Sequence, residues 1–431
     1  MTMKREMLDQ NVALTTIPTD KFKSSYLTFS LVVPLAKETA AKNTLLMKIL
    51  KRGTMSYPDM TALSKKLEYL YSADIFTRCY SLGETQFLNI SMDVLNDAYT
   101  MEKNSLLEEA LAVLGEIVYA PILENGIFRQ SYFDSEKRNL LAEIDAEINN
   151  KGKYAFSRLR ELMCENERYG ASPLGTKESV EAFTNADLYA HYLDVLASAR
   201  IEILFVGNTD TDKLKSALMC LLNGHMPKCV FSIETEVRRR ADAPKTVVEK
   251  SIGNQGNLAL GFRTGTVLAD GNYPVLALFC ELYGGSPTSR LFMNVREKLS
   301  LCYYCVSHAE AIKGLMFVRA GIENENFEAA KNEILRQLEL LQSCSFTDDE
   351  LDDAKLSLCN AYAEMSDNPQ SLETWYMGRA ISGLSQSPEE AAVAVQKITK
   401  PEIVEVANKI TLDMIYFLKS TNVSGGEQSW K

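Results

Sequence analysis

The order of elements in this chain runs through twice, and that repetition narrows the possible folds more than any single motif. Val180-Glu-Ala-Phe-Thr-Asn-Ala-Asp-Leu188 aligns without a gap on Val395-Gln-Lys-Ile-Thr-Lys-Pro-Glu-Ile403, and Lys66-Leu-Glu-Tyr-Leu-Tyr71 aligns on Lys298-Leu-Ser-Leu-Cys-Tyr303. Each copy opens on strands rich in β-branched and aromatic residues: 11–17 and 26–33 in the first, 257–262 in the second. Helices with apolar residues at three- and four-residue steps follow, near 40–51 and 57–70 in the first copy and near 273–282 and 291–299 in the second. Each copy then reads as a strand pair (73–80 with 85–92; 302–308 with 315–322), further helices and a closing strand (201–207; 414–418).

Two such halves imply an α+β fold of two homologous domains, each a mostly antiparallel sheet covered by helices, and they suggest a clam shell. A length of 431 residues agrees, being too long for one core. Residues 223–245 combine Gly, Pro and the Arg238–Arg240 charge run with little periodicity. We therefore read 1–222 as the N-terminal domain, 223–245 as a linker and 246–431 as the C-terminal domain.

Composition excludes several function classes. A net charge of −11 argues against nucleic acid or an anionic membrane as partner. Nine cysteines form an odd set without framework spacing, which fits a reducing compartment. The sequence has no apolar run of signal-peptide or membrane-spanning length, so the expectation is a cytoplasmic protein without membrane insertion. Only three histidines exist, His191, His225 and His308; no two stand at helical metal spacing, which rules out a zinc helix built on a histidine pair.

The stretch Gly284–Cys305 carries the densest chemistry. Gly284, Gly285 and Pro287 break the backbone, and Thr288 or Ser289 can cap the helix that follows. Leu291, Phe292, Val295 and Leu299 give that helix an apolar face. Arg296 lies near its end and Tyr303 seven residues later, at the start of a strand. A cation and a phenol at one helix–strand junction could grip a peptide carbonyl; an ordinary amphipathic helix with a surface arginine and a half-buried tyrosine has the same spacing.

Ser289-Arg-Leu-Phe-Met-Asn-Val-Arg-Glu-Lys298, followed by Leu301-Cys-Tyr303, resembles the second-domain signature of the pitrilysin/insulinase family of inverted-motif zinc peptidases. The resemblance covers nearly the whole chain and is to the bacterial two-domain form, similar to the subunits of the mitochondrial processing peptidase. It implies that Arg296 and Tyr303 bind the substrate backbone and help to stabilise the reacting carbonyl. It also implies a His-x-x-Glu-His motif on the first helix, which holds zinc and activates water in catalytic members. That motif commonly ends in Gly-Thr a few residues on. Counting back from Arg52-Gly53-Thr54, its three positions fall on Thr44, Met47 and Lys48, and none matches. Glu136 and Glu143 keep the spacing of the downstream pair, so Glu143 stands at the third-ligand position as a relic or a polar helix residue.

The resemblance thus implies a catalytically inactive, substrate-binding subunit of a heterodimeric zinc metallopeptidase. It would have no metal of its own and would work beside a zinc-binding subunit of the same family on a peptide substrate. Two other readings stay open: an interaction scaffold without substrate contact, and a metallopeptidase with unconventional ligands. The latter has only Cys302-x-x-Cys305 and His308 to draw on, and strand alternation predicts that the two cysteines point apart.

Overall fold

The structure is a computed structural model and describes residues 3–101, 105–228, 231 and 234–421. Part of the 223–245 segment, with Cys229, lies outside them. The chain packs as two compact units.

Unit 1 is built on a six-stranded sheet in the order β1-β2-β8-β3-β5-β4. Its strands are β1 (Lys4–Asp9), β2 (Val12–Pro18), β3 (Ser24–Pro34), β4 (Asp74–Leu82), β5 (Thr85–Leu95) and β8 (Arg200–Gly207); β6 (Leu123–Glu124) and β7 (Ile127–Phe128) form a separate small pair. β8 runs parallel to β2 and antiparallel to β3. The helix Ala40–Leu50 buries nearly its whole length, with Leu45, Leu46, Met47 and Leu50 joining Leu31, Leu88 and Ile90 of the sheet in the main core.

Unit 2 carries a five-stranded sheet in the order β11-β12-β10-β13-β9, from β9 (Lys245–Ile252), β10 (Gly256–Arg263), β11 (Cys302–Glu310), β12 (Leu315–Ile322) and β13 (Thr411–Thr421). Here β13 is parallel to β9 and every other pair is antiparallel. Read from the opposite edge, the order β9-β13-β10-β12-β11 repeats β2-β8-β3-β5-β4 strand for strand, so the sequence repeat is a repeat of topology. The aligned residues also do the same work. Asp187 Oδ2 accepts from the Thr184 N–H at 2.8 Å and the Thr184 hydroxyl at 2.7 Å; Glu402 Oε2 accepts the same bonds from Thr399 at 2.8 and 2.6 Å.

Packing divides the chain differently from a single cut at a linker. Unit 1 comprises residues 1–145, 171–235 and 365–387; unit 2 comprises 146–170, 236–364 and 388–431. Each sheet is thus covered by a helix from the other half of the sequence. In unit 1, helix Pro369–Ile381 lies against β3 and β8, and its buried Glu373 takes a 2.6 Å bond from Arg78. In unit 2, helix Lys151–Met163 packs Ala155, Leu159 and Met163 against Ala259, Phe317, Met414 and Tyr416. Gly261 in β10 admits it: a Cβ there would lie 2.4 Å from Met163 Sδ. Burying Leu159 and Met163 contributes roughly 1.5–3 kcal/mol each.

The segment after that helix is pinned by charge. Glu167 accepts from Arg263 Nη2 at 2.6 Å and meets Lys313 Nζ at 2.7 Å, and Arg263 Nε reaches Asp413 at 2.6 Å. The side chains of Glu167, Arg263 and Lys313 are at most 1% exposed, so each cation has its desolvation offset by a carboxylate.

Candidate functional site

The four positions expected on the zinc motif all lie in unit 1. Thr44, Met47 and Lys48 project from helix Ala40–Leu50, and Glu143 from helix Gln130–Ala146. Of these the structure joins one pair: Lys48 Nζ lies 2.7 Å from Glu143 Oε2. One helical turn on, Arg52 Nη1 donates to Glu136 Oε1 at 2.7 Å. Two ion pairs therefore bind the two helices where the resemblance implies ligands.

The donor set here does not fit zinc. The Thr44 hydroxyl donates to the Pro173 carbonyl at 2.7 Å, Met47 is buried in the apolar core, and the Lys48 ammonium occupies the one carboxylate that remains. An ammonium has no lone pair to give a metal and repels a second cation. Among the described residues, no group of three or more His, Cys, Asp and Glu side chains could hold a metal ion. The histidines are engaged elsewhere: His191 Nε2 with Asn43 at 2.6 Å, His225 stacked on Tyr119, and His308 packed beside Phe156 and Phe317.

Arg296 and Tyr303 lie in unit 2. The helix Leu291–Lys298 is wound in wide turns, closing with a bond from the Leu299 N–H to the Asn294 carbonyl, five residues back. Such π-type winding often marks functional sites. Arg290 locks this helix down, donating from Nε to Gln337 at 2.8 Å and from Nη1 to Glu350 at 2.9 Å. Ser300, at φ 49°, turns the chain out of the helix, and the Leu301 N–H returns to the Val295 carbonyl at 3.0 Å. This tight return sets the Arg296 helix against β11.

Both side chains are presented outward. Arg296 is 41% exposed, its guanidinium 4.5 Å over the Phe292 ring and its Nε 3.5 Å from Glu297. Tyr303 is 60% exposed and donates its phenol proton to Glu323. That bond and the charge of Glu323 push the Tyr303 phenol up, so it keeps its proton. The sequence places Phe292 on the helix's apolar face without its contact to Arg296, and Glu323 carries no part in that reading. The four-residue step from Phe292 to Arg296 was a usable signal; Glu323 had none, because it comes from the neighbouring strand's end.

One expectation is corrected. Cys302 and Cys305 do not point apart. The register of β11 on β12 slips between Cys302 and Tyr304, so alternation fails at Tyr303 and the two free thiols come within hydrogen-bonding reach of each other. The Cys305 bond and nearby Arg296 draw the Cys302 thiol down, while the same bond and burial push Cys305 up.

Comparison with known proteins agrees with this geometry. Residues 182–358 match the family model described as "Peptidase M16 inactive domain". The chain is 32% identical to the "probable inactive metalloprotease YmfF" of Bacillus subtilis, over 94% of this chain and 95% of that protein. It is 22% identical to the mitochondrial-processing peptidase subunit beta of Saccharomyces cerevisiae, over 72% of each. A crystal structure of a conserved protein from Enterococcus faecalis superposes with a TM-score of 0.90 at 29% identity, covering 98% of this chain and 99% of that one. The chain belongs to the M16, or pitrilysin/insulinase, peptidase family, as an inactive homologue.

Proposed function

We propose that this chain is the non-catalytic subunit of a heterodimeric zinc peptidase and holds peptide substrate for a zinc-bearing member of its own family. The observation that carries the reading is a contrast. At the metal positions every side chain is already engaged: Thr44 with the Pro173 carbonyl, Met47 in the core, and Lys48 with the half-exposed Glu143, a cation where a ligand would be needed. Arg296 and Tyr303, by contrast, keep the residue types of the family signature and are presented on a tightly built turn, each beside one exchangeable carboxylate. A planar guanidinium resting on an aromatic ring is oriented to donate forked bonds to peptide carbonyls. A protonated phenol that exchanges Glu323 for a substrate oxygen would stabilise negative charge developing there. The similarity to a processing-peptidase subunit supports partnership between two family members.

We place this work in the cytoplasm. The eight described cysteines are free, which supports a reducing compartment, and among the described residues no helix is long and apolar enough to cross a membrane. The test is to mix the purified chain with a zinc-bearing M16 peptidase of the same organism and follow cleavage of a quenched peptide library. Cleavage that requires both chains supports the reading. A zinc chain equally active alone would reduce this protein to a scaffold.

A further inference from the structure

Tyr304, the residue after Tyr303, lines a cavity of about 950 Å³ that lies within unit 2 and that the reading above leaves unused. Its wall is cationic. Lys151 and Lys153 come from the first turn of helix Lys151–Met163, and Arg319 comes from β12. No described acidic residue lines it, although the whole chain carries a net charge of −11. The nearest countercharge recorded for these cations, Glu147, stands 3.8 Å from Lys153. Lys151 is steadied by a 2.8 Å bond to the Ser251 hydroxyl, which leaves its charge uncompensated. The Nε–H of Arg319 is buried and finds no hydrogen-bond partner in the protein. A buried donor without an acceptor calls for an explanation; here it belongs to a cation in the wall of an open pocket, where a bound acceptor would supply one.

The pocket is also shaped. Gly321 makes room for its wall: a Cβ there would lie 2.3 Å from Gln255 Nε2 and 2.6 Å from the Tyr304 ring. The Tyr304 phenol donates to Asn257 Oδ1 at 3.3 Å, which fixes the ring. Burial and the charge of Arg319 together draw nearby His308 down to about 4.

We infer that this pocket takes a carboxylate of the bound peptide, either an acidic side chain or the free C-terminus, between Arg319, Lys151 and Lys153. The inference rests on the peptide-holding reading of Arg296 and Tyr303. Tyr304 of the pocket wall follows Tyr303 directly in the chain, with Cα atoms about 3.8 Å apart, which sets the pocket next to the proposed grip. It would make this subunit the one that selects acidic substrates. A carboxylate accepts from a guanidinium in two places, and such charge-assisted bonds are about twice as strong as neutral ones.

The test is fluorescence anisotropy on the full chain, using labelled ten-residue peptides with one central glutamate or glutamine, each ending in a carboxylate or an amide. The glutamate or carboxylate form should bind about tenfold tighter at low salt, the advantage shrinking as salt is raised. Which of the two changes matters identifies the source of the carboxylate. Arg319→Gln should erase the preference and Arg319→Lys should restore most of it, which separates charge from fold. Arg296→Ala should weaken all four peptides alike. A preference for acid that survives Arg319→Gln overturns the inference, as does its absence in the wild type, while leaving the Arg296 reading intact. A preference lost in Arg319→Gln with no effect of Arg296→Ala would keep the pocket and reject the Arg296 reading. No binding of any peptide rejects both.

Discussion

Replacing Glu167 by glutamine tests how unit 2 is held together. The substitution keeps shape and removes one charge. In the wild type, Arg263 and Lys313 face two carboxylates, Glu167 and Asp413. In the variant Arg263 keeps Asp413, while Lys313 loses its ion pair with Glu167 and keeps its bond to the Glu236 carbonyl. Removing one partner of a buried pair costs about 3–5 kcal/mol, because the remaining charge stays desolvated. Against a total stability of about 5–15 kcal/mol, that loss is large. Burial alone would raise the Glu167 carboxyl, but bonds from Arg263 and Lys313 hold it below its usual value. Its contribution is therefore present above the unfolded carboxylate pKa and is lost as pH falls through the lower folded value. Hydrogen exchange resolved by strand is the suitable assay, because two units need not unfold in one step. Opening free energies in β10, β12 and β13 should drop by about 3–5 kcal/mol, with β3 and β5 unchanged and the acid dependence of unit 2 reduced. A drop under about 1 kcal/mol, the size of an exposed pair's effect, would refute the reasoning, as would an equal drop in both units.

Three further outcomes follow from the same structure. Protease should cut first within residues 223–245, yet the two fragments should stay together on native size exclusion, since each carries a helix of the other's unit; fragments that separate and remain folded would contradict the exchange. Metal-stripped protein reloaded with zinc should hold well under one zinc per chain by elemental analysis, because Lys48 and Glu143 neutralise each other; one tight zinc at the first helix would overturn that account. Burial lowers both His191 and His308 to about 4, so the unfolded chain binds more protons as pH falls from about 6.5, and stability should decline across that window. His308→Phe should flatten the decline in a urea titration at several pH values; an unchanged slope would count against it.

What the sequence made legible was whatever repeats or alternates locally. The doubled element order, the matched segments around Thr184 and Thr399 and the strand pairs all rest on short-range chemistry and appear in the fold. Helix Pro369–Ile381 went unseen because it is buried on most sides, Glu373 and Arg379 included, and so shows no clean apolar stripe. β1 and β9 are polar edge strands with little hydrophobic signal. The exchange of helices between halves is a long-range packing choice that no linker composition records. At the site, Arg296 and Tyr303 were legible only through a family signature. The Lys48–Glu143 pair joins residues far apart in sequence, and the slip at Tyr303 that brings Cys302 to Cys305 is a backbone event that residue types do not encode.

The most direct test of the central claim is turnover by the reconstituted pair with Arg296→Ala or Tyr303→Phe in this chain. Losing one donor to a developing oxyanion typically lowers kcat about 10²–10³-fold. We expect each variant to assemble with its partner like the wild type and to depress kcat on that scale, with Tyr303→Phe acting on kcat more than on KM. Turnover unchanged in both variants, with the pair intact, would contradict the account.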